Sequence, residues 1–321
     1  MNATSISGPA PVRVWWLRTN DFDELAAAFT EWDNRFEQLD AGPFDGLAGF
    51  VTAGGVQYFE VATGRGISAR GTHPAGSFVF SPVQPSNDRA VWRGRALRSG
   101  TVNILGPDQA MNHRTCPGYH SVDLTVSAAV LDEAAVLCDA NIEDVLRGAH
   151  VVADPNRCAD LDRDIRNTLR ALSERAGPAL GAVHERVTET LILLLRTLTP
   201  GRDPVPPNLG AIRREQLVRK AIEYMLARLN EPVTTFDLCR ELEASERALQ
   251  YAFREVTRLS PMAYLKARRL NAVRRALKAA DPRAETVWEV AARWGFTHSG
   301  EFAADYQRLF GELPSRTLQK R

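Results

Sequence analysis

Across residues 12–130, apolar and polar positions alternate over short runs. Val56–Ala62 (VQYFEVA) and Ser77–Val83 (SFVFSPV) are two of them, rich in Val, Phe and Tyr and set between Gly, Pro, Asn and Asp. Alternation of period two between turn residues predicts half-buried strands. Many such strands in succession predict a sandwich or barrel. Asp21–Trp32 (DFDELAAAFTEW) interrupts them with a helical pattern. Further on, the period lengthens: Leu161, Ile165, Leu169 and Leu172 form one stripe, and Val187, Leu191, Leu194/Leu195 and Leu198 another. These predict a helical hairpin whose apolar face serves either the core of the preceding domain or a partner subunit. Thr199–Gly210 (TPGRDPVPPNLG) carries four prolines and two glycines, which suits a linker. The chain is therefore expected to divide into a domain of strands followed by helices over 12–199, a linker over 200–210 and an all-α domain over 211–321.

In the last part, helix start and stop signals follow one another closely. Leu217, Ala221 or Ile222, Met225 and Leu229 line one side of a first helix, which Glu231-Pro232 breaks. Thr234 or Thr235 caps FDLCREL, Ser245 caps ERALQYAFREV, and Ser260-Pro261 opens a longer helix to about Ala279. Thr286 caps VWEVAARW, Gly295 ends it, and a last major helix runs through SGEFAADYQRLF to Gly311. Two helix-turn-helix units are thus joined by one long helix, and the second helix of such a unit can lie in a major groove. In ERALQYAFREV, Leu249, Ala252, Phe253 and Val256 fall on one side, with Arg247, Gln250, Tyr251 and Arg254 on the other. Arg suits guanine O6/N7, Gln suits adenine N6/N7, and Tyr can meet a base methyl or a phosphate. A solvated amphipathic face is the plainer reading of an isolated helix. The capped helix before it and the second similar unit favour base recognition.

Charge sharpens that reading. The whole chain carries a formal +1, but residues 211–321 hold 21 Lys+Arg against 14 Asp+Glu (+7), and the rest 19 against 25 (−6). Residues 245–278 alone hold nine basic and two acidic residues. A localised basic excess of this kind points to an anionic partner for the C-terminal part. Composition adds less. The 44% apolar content is ordinary for a globular chain, and LILLL (Leu191–Leu195) is far too short to span a bilayer. The N-terminus lacks the basic and apolar regions of a secretory signal. Cys116, Cys138, Cys158 and Cys239 have no paired spacing, which fits buried thiols in a reducing cytoplasm, although it leaves disulfides open.

These residues carry a family likeness. Residues 217–321 resemble the DNA-binding domain of the AraC/XylS transcription regulators. LCRELEASERALQYAFREV matches through Leu238, Leu242, Ser245, Leu249 and Phe253, and SPMAYLKARRL matches the start of the linker helix. The second unit matches through Val287, Val290, Ala291, Gly295, Phe296, Phe302, Tyr306, Gly311 and Pro314. LNAVRRAL and RWGFTHSGEFAADYQRLFGELPSRTLQ look closest to the branch containing the ethanolamine-operon regulator. The resemblance implies base contacts from Arg247, Gln250 and Tyr251, and from Ser299, Ala303 and Gln307 of the second unit. It implies phosphate contacts from Ser245, Arg254, Arg268, Arg269 and Arg308. Three departures stand out. Arg258 or Leu259 replaces the usual glycine before Ser-Pro, Val273 replaces an alanine, and the second recognition helix presents Gly300, Ala303, Ala304 and Gln307. Small side chains form no bidentate base contacts, so recognition is expected to be lopsided toward the first unit.

The resemblance further implies an α+β chain with an N-terminal cupin-like β-barrel that binds a small effector and is followed by dimerisation helices. Its expected partners are promoter DNA, RNA polymerase, an unidentified effector and a second copy of the chain, in the cytoplasm and without a membrane or cofactor. Phe50, Tyr58, Arg70, His73, Phe80 and Trp92 are the pocket candidates, each also readable as plain core. A cupin-type metalloenzyme needs clustered His and carboxylate, whereas His73, His113, His120 and His150 never form His-x-His. No nucleophile elbow, phosphate loop or dinucleotide fingerprint is visible, so no enzyme activity is expected. A dimer that binds DNA without an effector is the other alternative.

Overall fold

In the computed structural model the described residues are 12–107, 109–138, 150–152, 154–173, 180–198 and 209–319. The proposed 200–210 linker lies almost wholly outside them. Twelve strands among the described residues form two antiparallel sheets. The seven-stranded sheet has the order β1-β3-β4-β11-β6-β9-β12: Arg13–Thr19, Gly46–Ala53, Val56–Thr63, Tyr119–Ser127, Ser77–Pro82, Thr101–Leu105 and His150–Val152. The five-stranded sheet has the order β2-β5-β10-β7-β8: Asp33–Gln38, Ile67–Thr72, Met111–Arg114, Val91–Trp92 and Arg95–Ala96. They face each other as the cupin-like layer pair, but remain two sheets and do not close into one barrel.

Alternation along each strand decides which face a residue serves. Phe59 and Val61 of β4 point between the sheets with Phe36, Phe50, Ile67 and Leu105. Tyr58 lies on the opposite face, packed with Val51, Phe80, Val122 and Leu124. That outer face is covered by helices α2 (Ala128–Cys138), α3 (Pro155–Ser173) and α4 (Leu180–Leu198). Leu161, Ile165, Leu169, Val187, Leu191 and Leu194 are all buried there. The two stripes of the hairpin therefore build the chain's own core. The sequence pattern stops short of α2, since a β-like reading continues to Val130. Helix α1 (Phe22–Ala27) is the interruption foreseen in the strand region, capped by Asp21 accepting from the Asp23 N–H at 2.9 Å.

The remaining helices are α5 (Leu209–Ala227), α6 (Thr235–Glu241), α7 (Glu246–Thr257), α8 (Pro261–Ala279), α9 (Val287–Ala292), α10 (Ser299–Phe310) and α11 (Pro314–Gln319). Thr234 and Thr286 each close a full capping box, with Asp237 and Glu289. Ser245 and Ser260 cap through the N–H groups of Ala248 and Ala263. The family's glycine position is Arg258, which ends α7 in the left-handed region at φ +58. Gly311 does the same for α10 at φ +72, and a Cβ there would lie 2.8 Å from the Pro43 nitrogen. Val273 is fully buried, so the enlarged side chain is absorbed in the core.

Candidate nucleic-acid interface

The first unit consists of α6, a tight turn and α7. Leu249, Ala252, Phe253 and Val256 bury one face of α7 against α5 and α8. That burial fixes which side chains face outward. Arg247, Tyr251 and Arg254 are exposed, Tyr251 at 55%, and Gln250 is half-buried. Arg214 of α5 sits over the Tyr251 ring at 5.5 Å, adding a cation beside the same face. Ser245 stands at the N-terminus of α7, where free N–H groups and the helix dipole favour a phosphate. The three residues nominated for base contacts therefore share one side of one helix, exposed or half-buried among the described residues.

In the second unit Ser299, Gly300, Ala304, Gln307 and Arg308 of α10 are exposed and Ala303 is half-buried. Arg308 is paired with Asp305 at 2.8 Å, and Lys266 reaches the same carboxylate at 2.8 Å. The outward face of α10 is thus small and partly neutralised. Unlike α7, α10 has no side-chain cap from His298.

The linker helix α8 is different. Arg268, nominated for a phosphate, is only 4% exposed and forms an ion pair with Glu37 of β2, itself 1% exposed. Arg269 donates to the carbonyls of Leu229 and Glu231, closing the end of α5. Arg274 and Lys278 meet Asp21, at 3.3 and 2.6 Å. Arg275 meets Asp23 at 2.8 Å and Glu37 at 3.2 Å. Burial opposes ionisation of Asp21, but Arg274 and Lys278 together outweigh it and hold the carboxyl at about 2. In this arrangement the inner face of α8 serves the N-terminal half and offers Arg268 to no phosphate. Sequence reasoning missed this contact because it joins residues more than 230 positions apart.

Two of the cavities among the described residues involve residues nominated for the pocket. One of about 60 Å3 lies between the sheets, walled by Phe29, Trp32, Phe36, Phe59 and Trp92. Trp92 Nε1, His113 Nε2 and both amide atoms of Asn34 are buried at it without hydrogen-bond partners. Burial holds His113 down to about 4, hence neutral, and pushes Asp123 up to about 6 against hydrogen bonds from Ser81 and Ser121. The second, about 330 Å3, lies where Arg70, Met111 and Arg114 face Val218, Ile222 and Tyr264. The nominated pocket residues separate accordingly. Trp92 lines the first cavity and Arg70 the second. Phe50 is core between the sheets, and Tyr58 and Phe80 face the helices. His73 is engaged by Ser77 at 3.1 Å and the Gly106 carbonyl at 2.8 Å. His113 and Asn34 were missed as pocket residues, and no local sequence pattern marks them.

Comparison with known proteins agrees with the two-unit reading. Residues 238–320 match the helix-turn-helix domain family. The chain is 40% identical over 103 residues to the "Probable thc operon regulatory protein" of Rhodococcus erythropolis, covering 32% of this chain and 31% of that one. It is 30% identical over 109 residues to the XylDLEGF operon transcriptional activator 2 of Pseudomonas putida, covering 34% of this chain and 69% of that protein. The chain thus spans about a third of the length of the Rhodococcus relative. Among solved structures, a probable AraC family transcriptional regulator from Rhodopseudomonas palustris is 38% identical, covering 32% of this chain and 95% of that chain, with a TM-score of 0.31. A capped pair of helix-turn-helix units and the matches to the helix-turn-helix family and the Pseudomonas relative agree: the chain belongs to the AraC/XylS family of DNA-binding transcriptional regulators.

Proposed function

We propose that this chain reads a promoter sequence chiefly through α7 and activates transcription when a small effector occupies its N-terminal domain. Its parts would be the effector and dimerisation domain (12–199), the linker (200–210) and the DNA-binding domain (211–321). The observation that carries the reading is the outward face of α7, where Arg247, Gln250 and Tyr251 stand beside a Ser245-capped N-terminus. Arg247, Gln250 and Tyr251 would contact bases, with Ser245 and Arg254 on phosphates. Under α10, Ser299, Ala303, Gln307 and Arg308 would add mainly shape and phosphate contacts. Binding as a homodimer and contact with RNA polymerase follow from the family habit, as does the cytoplasm as the place of action. The Pseudomonas relative is named an activator, and that sign is carried over here. Footprinting of the full-length chain on a selected operator tests the core of this reading. Protection on one face across two adjacent major grooves is expected, and equal binding to every duplex would refute it.

The effector site in this proposal is the cavity between the sheets. Unpartnered donors and acceptors are rare in a protein interior, and here three residues direct theirs at one apolar space. A volume of about 60 Å3 admits roughly four to six water-sized groups at 10–15 Å3 each. The effector would therefore be small, apolar in body, and able both to donate and to accept. A thermal-shift screen of such compounds should raise the melting temperature, and Trp92→Phe should abolish the shift. A hit unaffected by Trp92→Phe and His113→Ala would move the site elsewhere.

A further inference from the structure

An α-helix ends with carbonyls that its own backbone cannot satisfy. In both recognition helices, donors from the N-terminal half of the chain satisfy some of them. At the end of α10 the Gly42 N–H donates to the carbonyls of Arg308 and Leu309, at 3.0 and 3.1 Å. Gln38 Nε2 lies 2.6 Å from the Leu309 carbonyl, 2.8 Å from that of Asp40 and 2.6 Å from that of Gly42. Three carbonyls around one amide nitrogen leave no ambiguity about which way that amide faces. Pro43 then packs on the Gly311 cap. At the end of α7 the Arg114 guanidinium donates to the Thr257 carbonyl, and its other nitrogen is held by Asp40 at 3.0 Å. Between the two, Asn271 of α8 takes the Gln38 N–H at 3.0 Å and gives its own amide to the Gln38 carbonyl at 2.9 Å. Its side chain thereby imitates a neighbouring strand along the edge of β2.

One short segment, Gln38–Pro43, is therefore bonded to the end of the second recognition helix and to the linker helix, and through Asp40 and Arg114 to the end of the first. Gln38 is buried, and so is Asn271. We propose that this segment fixes the separation and phase of the two recognition helices, with Gln38 as the positioning residue, so that the N-terminal half sets which operator spacing is accepted. The inference goes beyond the proposed function but rests on both units docking in adjacent grooves. Inserting one base pair between two half-sites displaces them by about 3.4 Å and rotates them by roughly 35°. Helices whose C-terminal ends are both held by one segment cannot follow that change. Helices joined by α8 alone have more freedom to do so.

The experiment uses the full-length chain on an operator selected from random duplex DNA, with zero, one or two base pairs inserted between the half-sites. For the wild type, each inserted pair should weaken binding at least tenfold. Gln38→Glu keeps the side chain's size but replaces the donor with a carboxylate, and should reduce that penalty to about threefold or less, with base preferences inside each half-site unchanged. Arg114→Lys tests the other end of the clamp in the same assay should Gln38→Glu fail to fold. A wild-type spacing penalty kept intact in a folded variant overturns the proposal. So does a uniform gain or loss of affinity at every spacing, which is what simple inhibition by the N-terminal half would give. Wild-type indifference to spacing would overturn the two-groove reading as well, which separates the two failures.

Discussion

Replacing Arg268 by alanine removes the main partner of Glu37, a carboxylate only 1% exposed. Breaking a buried ion pair from one side costs about 3–5 kcal/mol, because the remaining charge stays desolvated. Glu37 retains Arg35 at 3.0 Å and Arg275 at 3.2 Å, both on Oε1, so the lower end, about 3 kcal/mol, is expected. Replacing both charges should cost less, and Glu37→Gln with Arg268→Met is expected to recover most of the loss. Urea denaturation followed by tryptophan fluorescence measures this. DNA binding supplies the contrast. Each neutralised phosphate contributes about 0.9 to the slope of log affinity against log salt. Arg268→Ala should leave that slope unchanged at temperatures where the variant is folded. Arg254→Ala should lower it by about 0.9 and leave stability within about 0.5 kcal/mol. An Arg268→Ala protein that is as stable as the wild type and has a reduced slope would refute the reasoning. It would mean that Arg268 leaves Glu37 for the phosphate backbone.

Three further outcomes are expected. Arg247→Ala should lose about 1–3 kcal/mol on the best operator and relax the preference at one base pair; equal loss on all sequences, measured by competition binding, would count against base reading. Asp123 has a folded-state pKa of about 6 against an ordinary 3.8, so its contribution to stability is fully present below pH 3.8 and is lost as pH rises through 6. At about 1.36 kcal/mol per unit this amounts to at most about 3 kcal/mol, and Asp123→Asn should flatten the decline between pH 4 and 7 in pH-dependent melting. Arg258→Gly should raise stability by about 0.5–1 kcal/mol, because a left-handed residue with a Cβ costs about 1–2 kcal/mol and the glycine's extra unfolded-state entropy returns part of that; an unchanged denaturation midpoint would show that the Arg258 side chain repays the strain.

Much of the C-terminal fold was legible because its determinants are local. Thr234, Ser245, Ser260 and Thr286 announce helix starts within four residues, and Gly295 and Gly311 mark ends. The strands were legible as a class through alternation, but the order in which they pair was not. The face of Tyr58 and Phe80 depends on which layer lies outside the sheet, and alternation alone is blind to that. The hairpin stripes fitted a partner subunit as well as a core, and only the position of α3 and α4 against the sheet decides between them. Arg268 shows the same limit at a site. Its type and its place on the linker helix suit a phosphate, yet the acid that claims it lies on β2, and nothing within reach along the sequence points there.

That limit revises what the charge split means. Of the nine basic residues in 245–278, Arg268, Arg274, Arg275 and Lys278 meet Asp21, Asp23 or Glu37 of the N-terminal half. Lys266 meets Asp305, and Arg269 meets two carbonyls. Arg247, Arg254 and Arg258 have no ion pair among the described residues, and all three are exposed. A large part of the +7 of one half therefore answers the −6 of the other, as interdomain complementarity. If all nine reached phosphates, this segment would give a salt slope near 8, at about 0.9 per contact; Arg254 and Arg258, unpaired and not placed on a base, give a slope of about 2. Charge-removing variants taken one at a time over 245–278 should accordingly lower the slope at only Arg254 and Arg258, while Arg247, placed on a base, changes sequence preference instead. A slope that also falls for Arg274→Ala and Arg275→Ala would mean that the two halves part on DNA, and that the acids of α1 and β2 compete with the operator for the same guanidinium groups.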